Sequence, residues 1–204
     1  MKSSPPTDSF GKFRYELRIP RDRIAVLVGS DGETKQKIEK ETQAKLEIDS
    51  KEGDVFLEGE DVVLLVTARE IVQAIGRGFN PETALTLLKQ DYVFELISLT
   101  DYSRHKNHQL RMKGRIIGKD GRTREIIEEY CEVSVSVYGK TIAIIGEAER
   151  ASLAVRAIKM LLEGSPHAGV YKWLERQRRV FKQKEFEGDN ISQSIKDKFK
   201  KYVE

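Results

Sequence analysis

Apolar and polar positions along this chain change period in a set order, and the order occurs twice. Phe13-Arg14-Tyr15-Glu16-Leu17-Arg18-Ile19 alternates apolar with polar residues, which predicts a half-buried strand ended by Pro20. Arg23 to Val28 predicts a short apolar helix or turn. Gly29-Ser30-Asp31-Gly32 predicts a tight turn, and Glu33 to Thr42 an amphipathic helix with Ile38 on its buried side. Lys45 to Asp49 alternates again, residues 50–54 turn, and Val55 to Gly59 forms the return strand. Glu60 and Asp61 open a helix whose apolar positions run through Val62, Leu65, Ala68, Ile71, Val72 and Ile75, closed by Gly76 and Gly78.

Asn80-Pro81 is a helix start, with Asn80 as cap, and a short helix over 82–89 bridges to the second half. There Tyr92 to Ile97 predicts a strand, residues 98–108 a polar, basic loop without a counterpart, and Leu110 to Ile117 a short helix. Gly118-Lys119-Asp120-Gly121 then matches Gly29-Ser30-Asp31-Gly32 at an offset of 89, and Thr34, Ile38, Ala44, Leu46 and Ile48 fall on Thr123, Ile127, Val133, Val135 and Val137. Matched character around a shared Gly-x-Asp-Gly core is an internal repeat. A hairpin over 133–145 and a helix from Ala148 to Leu162, stopped by Gly164, complete the second copy. Past Pro166 comes a further helix with Val170, Trp173, Leu174 and Val180 on one side and Arg176, Arg178, Arg179, Lys182 and Lys184 on the other; Gly188-Asp189-Asn190 breaks it before a last amphipathic stretch through Ile191, Ile195 and Phe199.

The predicted organisation is α+β: a disordered tail over 1–12, one domain over 13–78, a helical linker over 79–90, a second domain over 91–164 and a basic helical extension over 165–204. Net charge is only +3, but it is unevenly placed. Residues 1–89 carry 14 Lys+Arg against 16 Asp+Glu, a net of −2; residues 90–204 carry 22 against 17, a net of +5. From Tyr102 to Arg124 there are eight basic residues and one acidic one, Asp120, which makes a focused basic patch of the kind a polyanion requires. The single cysteine, Cys131, sits in a helical apolar pattern and is read as buried; it supports neither a disulfide framework nor a Cys-rich zinc site. His105, His108 and His167 are scattered, so neither metal nor acid–base chemistry is expected of them. No apolar run is long enough for a membrane span, and the N-terminus lacks a secretory signal, so the expected location is the cytoplasm. Gly114 to Asp120 imitates a P-loop with three residues between the glycines and Asp where Ser or Thr must hold Mg²⁺, and Gly76-Arg77-Gly78 follows a helix instead of a strand. Neither an enzyme nor a cofactor is expected.

The element order, with a Gly-x-x-Gly turn between the first two helices of each copy, resembles the type I KH domain twice over. The resemblance implies a three-stranded antiparallel sheet backed by three helices in each, holding about four nucleotides through the Gly-x-x-Gly loop. Three segments carry it further: residues 77–85, Ile116-Ile117-Gly118-Lys119-Asp120-Gly121-Arg122-Thr123, and Pro166-His167 with the Tyr171/Trp173 helix. With these, residues 10–185 are similar to archaeal members of the partner-of-Nob family of small-subunit ribosome assembly factors. That resemblance implies single-stranded RNA as partner, specifically small-subunit rRNA near its 3′ end, alongside a PIN-domain nuclease or another assembly protein; it implies no membrane partner and no DNA.

Bare glycines at a turn that opens a helix let a phosphate backbone approach the helix N-terminus. In the second domain the expected RNA-binding residues are Arg111, Lys113, Arg115, Ile116, Ile117, Gly118, Lys119, Asp120, Gly121, Arg122, Arg124 and Ile127, with Ile126 sharing the apolar floor and some of the isoleucines facing the core instead. Asp120, awkward beside phosphates, is alternatively an Asx-type cap of the following helix. In the first domain the expected residues are Arg23, Val28, Gly29, Ser30, Asp31, Gly32 and Lys35, against a reading in which that domain is a scaffold or meets a protein partner. Trp173 and Tyr171 are expected to pack on the domain in preference to stacking on bases. The alternative for the whole chain is a protein-interaction scaffold in RNA processing whose RNA affinity is secondary.

Overall fold

The computed structural model describes residues 13–183; the tail over 1–12, Lys184, the break at Gly188 and the last amphipathic stretch lie outside the described residues. The first domain runs β1 (Phe13–Arg18), α1 (Arg21–Val28), α2 (Glu33–Thr42), β2 (Lys45–Asp49), β3 (Asp54–Gly59) and α3 (Val62–Gly76). A short α4 (Pro81–Leu85) and a single 3-10 turn lead into the second: β4 (Tyr92–Ser98), α5 (Lys106–Ile117), α6 (Arg122–Cys131), β5 (Ser134–Tyr138), β6 (Thr141–Glu147) and α7 (Ala148–Leu162), followed by α8 (167–183). Both sheets are antiparallel, in the order β1-β3-β2 and β4-β6-β5, so the last strand of each domain is central. Register pairs Tyr15 with Leu57 and Leu46 with Leu57 in one sheet, and Leu96 with Ala143 and Ser136 with Ala143 in the other. Three helices back each sheet, which makes the chain α+β.

Local chemistry explains the element ends. Asp61 caps α3 by accepting from the N–H groups of Val63 and Leu64 at 2.8 and 3.0 Å, and Asn80 caps α4, with Pro81 at its first position. The repeat is physical down to single bonds. Glu39 accepts from Leu46 N–H at 2.8 Å, and Glu128, 89 positions on, accepts from Val135 N–H at 2.8 Å, each tying the second helix to the strand it precedes. Gln43 and Glu132, also 89 apart, both end their helices in the left-handed conformation.

Two features differ from the sequence-based expectations. Alpha-helix α5 begins at Lys106, so the basic loop is shorter than 98–108, and α5 has 12 residues against the 8 of α1. The linker is not an independent bridge. Phe79, Ala84 and Leu87 are buried in the first core, together with Ala143 and Ile145 of the second sheet. The first domain thus covers the outer face of the second sheet, and β6 is buried on both faces, which is why Ile142-Ala143-Ile144-Ile145 is an unbroken apolar run while β3 alternates. The junction is sealed by Ser136 Oγ donating to Arg77 O at 2.8 Å and by the Tyr138 hydroxyl donating to Asp22, a bond that also pushes the Tyr138 phenol pKa up. A side chain at Gly78, where φ is +99°, would run into Ser136 and Tyr138.

Nor is α8 a detached extension. Val170 and Leu174 are buried in the second core and Trp173 packs against it, with Arg156 over its ring at 5.2 Å. Its counterpart is α4: each follows an X-Pro step after the third helix, and the segment leading into each accepts a bond from an arginine described next.

Candidate nucleic-acid interface

The two Gly-x-x-Gly turns have the same backbone. Gly29, Asp31 and Gly32 have φ of 75°, 50° and 81°; Gly118, Asp120 and Gly121 have 74°, 53° and 82°. Asp is in the left-handed region at both third positions, where Asp and Asn carry the least penalty among residues with side chains. No side chain caps α6, so the Asx-cap reading of Asp120 is corrected: its backbone conformation, not a cap, accounts for an Asp there.

The two glycines do different work. A Cβ at Gly118 would run into Thr123 Oγ1 and lie 2.8 Å from Thr123 N, so packing alone demands glycine. At Gly121 a Cβ would meet nothing within 4 Å. The second glycine is therefore the one that leaves space over the N-terminus of α6. Gly114 resembles it: it is exposed, mid-helix, and a Cβ there would also meet nothing within 4 Å. Glycine in a helix interior costs about 1 kcal/mol relative to alanine, so nothing in the packing repays Gly114.

The expected cations separate into two groups. Lys119, Arg122 and Arg111 are exposed and Lys113 is half-buried; among the described residues Arg111, Lys113 and Lys119 have no acidic partner, while Arg122 and Arg124 make exposed ion pairs at 3.6 Å with Glu125 and Glu128. Such pairs are worth little in water and yield readily to a phosphate. Arg115 is different. Its guanidinium donates to Leu161 O at 3.0 Å and Ser165 O at 2.7 Å, holding the end of α7. Arg23 does the same for α3, donating to Ile75 O at 2.9 Å and to Phe79 O. Both were expected among the RNA-binding residues, Arg115 on the phosphate path; in the structure each clamps a helix end, because the last carbonyls of a helix need donors that the helix does not supply.

The apolar floor also divides. Ile116 and Ile127 are fully buried in the second core and are the isoleucines of this set that face inward. Ile117, one residue and about 100° further round α5, is 37% exposed, and Ile126 is half-buried. Leu110, not singled out from the sequence, is 67% exposed and two turns before Ile117 on the same face. Lys113 lies between them. An apolar residue recurring at seven on a helix that opens toward a Gly-x-x-Gly turn was the available signal. Leu110, Lys113 and Ile117 form a strip along α5 that leads to Lys119 and Gly121.

In the first domain Val28 is half-buried against the core, Lys35 pairs with Glu39 at 4.0 Å, and Gly29 meets Thr34 as Gly118 meets Thr123. Ser30 and Asp31 are exposed, Gly32 is half-buried and a Cβ there would make ordinary contact with Gln36 Nε2 at 3.7 Å, and the position matching Arg122 is Glu33. Asp22, matching Arg111, is engaged by Tyr138 of the second domain. The same turn is thus present twice with opposite electrostatics. Cys131 is buried, and burial pushes its thiol up to about 12, as an inert core residue. Among the described residues no helix is long and apolar enough to cross a membrane.

Known proteins resemble this chain across both domains. The KH domain family matches residues 14–77, and the family described as eukaryotic type KH-domain (KH-domain type I) matches residues 93–179. The KH domain-containing protein MJ0443 of Methanocaldococcus jannaschii is 49% identical over 84% of this chain and 77% of its own length. The pre-rRNA-processing protein pno1 of Aspergillus fumigatus is 32% identical over 54% of this chain, which spans 45% of that relative's length. Dim2p of Pyrococcus horikoshii OT3, solved in a complex with a/eIF2alpha and rRNA, is 48% identical, covers 84% of this chain and 97% of its own, and superposes with a TM-score of 0.78. Two type I KH domains in tandem, with relatives of these names matching across them, place this chain in the partner-of-Nob (PNO1/Dim2) family of two-KH-domain proteins.

Proposed function

We propose that this protein binds single-stranded RNA at the second Gly-x-x-Gly turn and serves as a small-subunit ribosome assembly factor on the 3′ region of small-subunit rRNA. The observation that carries the reading is the contrast between two turns of the same backbone: Arg111, Lys119 and Arg122 in one stand where Asp22, Ser30 and Glu33 stand in the other. Phosphates would run over Gly121 and Lys119 to Lys113, and bases would turn onto Leu110, Ile117 and Ile126. The rRNA in the Pyrococcus complex and the pre-rRNA-processing name of the fungal relative support the choice of RNA. We read the protein as acting in the cytoplasm by binding and not by catalysis, with a PIN-domain nuclease or another assembly protein as partner.

Lys119→Asp tests this. It leaves the backbone untouched and puts a second carboxylate beside Asp120 in the phosphate path. RNA affinity measured by fluorescence anisotropy should fall tenfold or more with the melting temperature unchanged; parental affinity would overturn the assignment. A second reading applies to the first domain alone. Asp22, Asp31 and Glu33 around its turn disfavour phosphate, so we assign that domain to positioning the second or to contact with a protein partner.

A further inference from the structure

On the flank of α5 next to the base strip, an open groove of about 530 Å³ runs between α5, the start of α6 and the N-terminal end of α8. Gly114 lies one turn after Leu110 and one turn before Ile117, so this groove and the base strip are neighbouring surfaces along α5 that both lead to the Gly-x-x-Gly turn. Its floor is bare at Gly114 and Gly118, and Gly114 is a glycine that no protein contact requires. A ligand that approaches the backbone closely supplies a reason for it. Its rim carries Arg111, Lys119 and Arg122 and no carboxylate.

The α8 wall is held rigidly. Tyr171 shares a hydrogen bond of 2.8 Å with Thr123, His167 Nε2 donates to Arg115 O at 2.8 Å, and the two rings meet edge to face with centroids 6.1 Å apart. An aromatic wall fixed in advance loses little freedom when a ligand arrives. The first domain has a hollow between α2 and α4 that shares two matched positions with it, Glu33 for Arg122 and Thr34 for Thr123, and there Glu33 and Glu82 line it with Lys37. Charge has again been inverted between the two copies.

We propose that the α5–α6–α8 groove is a second RNA subsite, taking a nucleotide that flanks the stretch held on the base strip, with its phosphate on Arg111 and Arg122 and its ribose or base against Tyr171. The inference rests on the proposed RNA-binding function and extends its footprint beyond four nucleotides. RNA is the occupant because the groove is continuous with the phosphate path and is lined by Arg111, Lys119 and Arg122 with no lining carboxylate, the exposed pair of Arg122 with Glu125 being one that yields to a phosphate.

The test uses labelled single-stranded RNAs of randomised sequence, four and eight nucleotides long, the full chain, and the variants Arg111→Ala and Gly114→Leu. Leucine at 114 favours the helix, its Cβ meets no protein atom within 4 Å, and its side chain adds bulk to the floor of the groove. The parent should bind the octanucleotide about tenfold more tightly than the tetranucleotide, and each variant should lose most of that ratio. A parent with equal affinity for both lengths, or variants that keep the parental ratio, would overturn the subsite. Variants that lose affinity equally at both lengths would also overturn it, since the groove would then belong to the four-nucleotide site. A parent that binds neither RNA is a different result, and sinks the RNA-binding reading itself.

Discussion

Gly118 and Gly121 are indistinguishable as letters, yet one is required by packing and the other is not. Gly118 has φ of 74° and ψ of 179°, a region that essentially only glycine occupies, and Thr123 fills the space a side chain would need. Gly118→Ala should therefore destabilise the second domain by about 2–4 kcal/mol in urea denaturation, from strain together with overpacking. Gly121→Asp adopts a conformation that Asp120 already adopts, so it should cost about 1–2 kcal/mol of stability while RNA affinity falls tenfold or more. Equal stability losses in the two variants would show that Thr123 gives way. A double Gly→Asp variant would confound the two effects. Cys131 gives a pH prediction. Its folded pKa is raised to about 12 above an ordinary value of 9, so the folded state holds the proton that the unfolded state releases between them. Its contribution to stability is whole below pH 9 and lost as pH climbs toward 12, and Cys131→Ala should flatten the decline in a series of alkaline melts.

At the scale of elements, the two domains solve one problem with arginines from different places. The last carbonyls of α3 and α7 lack intrahelical donors. Arg23 reaches those of the first domain and Arg115 those of the second, although the 89-residue offset pairs Arg23 with Met112 and Arg115 with Val26. The helix before the turn thus supplies the clamp from either of two successive turns, and the repeat is conserved in geometry where it is broken in sequence. Arg115→Ala strips two charge-assisted bonds and should cost about 2–4 kcal/mol in denaturant melts, whereas Arg111→Ala, free at the surface, should fall within about 0.5 kcal/mol of the parent. If the two were equally mild, the clamp would be ornamental. Adjacent Ile116 and Ile117 teach the same lesson: a turn of about 100° sends the first into the core and the second to the surface.

For the molecule as a whole, charge and docking are coupled. The first domain carries the acidic excess and covers the outer face of the second sheet, leaving the basic turn of α5 and α6 uncovered. Lys113, Lys119 and Arg111 are then the cations available to a polyanion, and each phosphate they neutralise on a single strand contributes about 0.7 to the slope of log affinity against log salt. Lys119→Ala should flatten that slope by about 0.7; an unchanged slope would place Lys119 outside the phosphate path. Docking itself rests on Ile145 and Ala143, which are buried against the first domain and do not contribute to the second core. Ile145→Asp puts an unpaired charge into that junction. Calorimetry should then resolve two transitions where the parent shows one, and small-angle scattering should report a larger radius of gyration; a single unshifted transition would contradict docking through this face.

The sequence by itself determined the elements, their order, the duplication and the charge contrast between the two turns, because each is local: a period of two or 3.6, a glycine at positive φ, a cap at the first position of a helix. It also carried the unbroken apolar run of β6, whose meaning as a two-sided strand became plain only when the first domain lay across it. Tertiary structure decided which of the flanking arginines are free and which are clamps, which isoleucine faces solvent, and that α4 and α8 are the same element in two copies. Those outcomes depend on partners 46 to 59 residues away, such as Leu161 for Arg115 and Ser136 for Arg77. A local pattern records which residues can point inward, but the identity of the atom waiting there is settled only when distant segments are packed together.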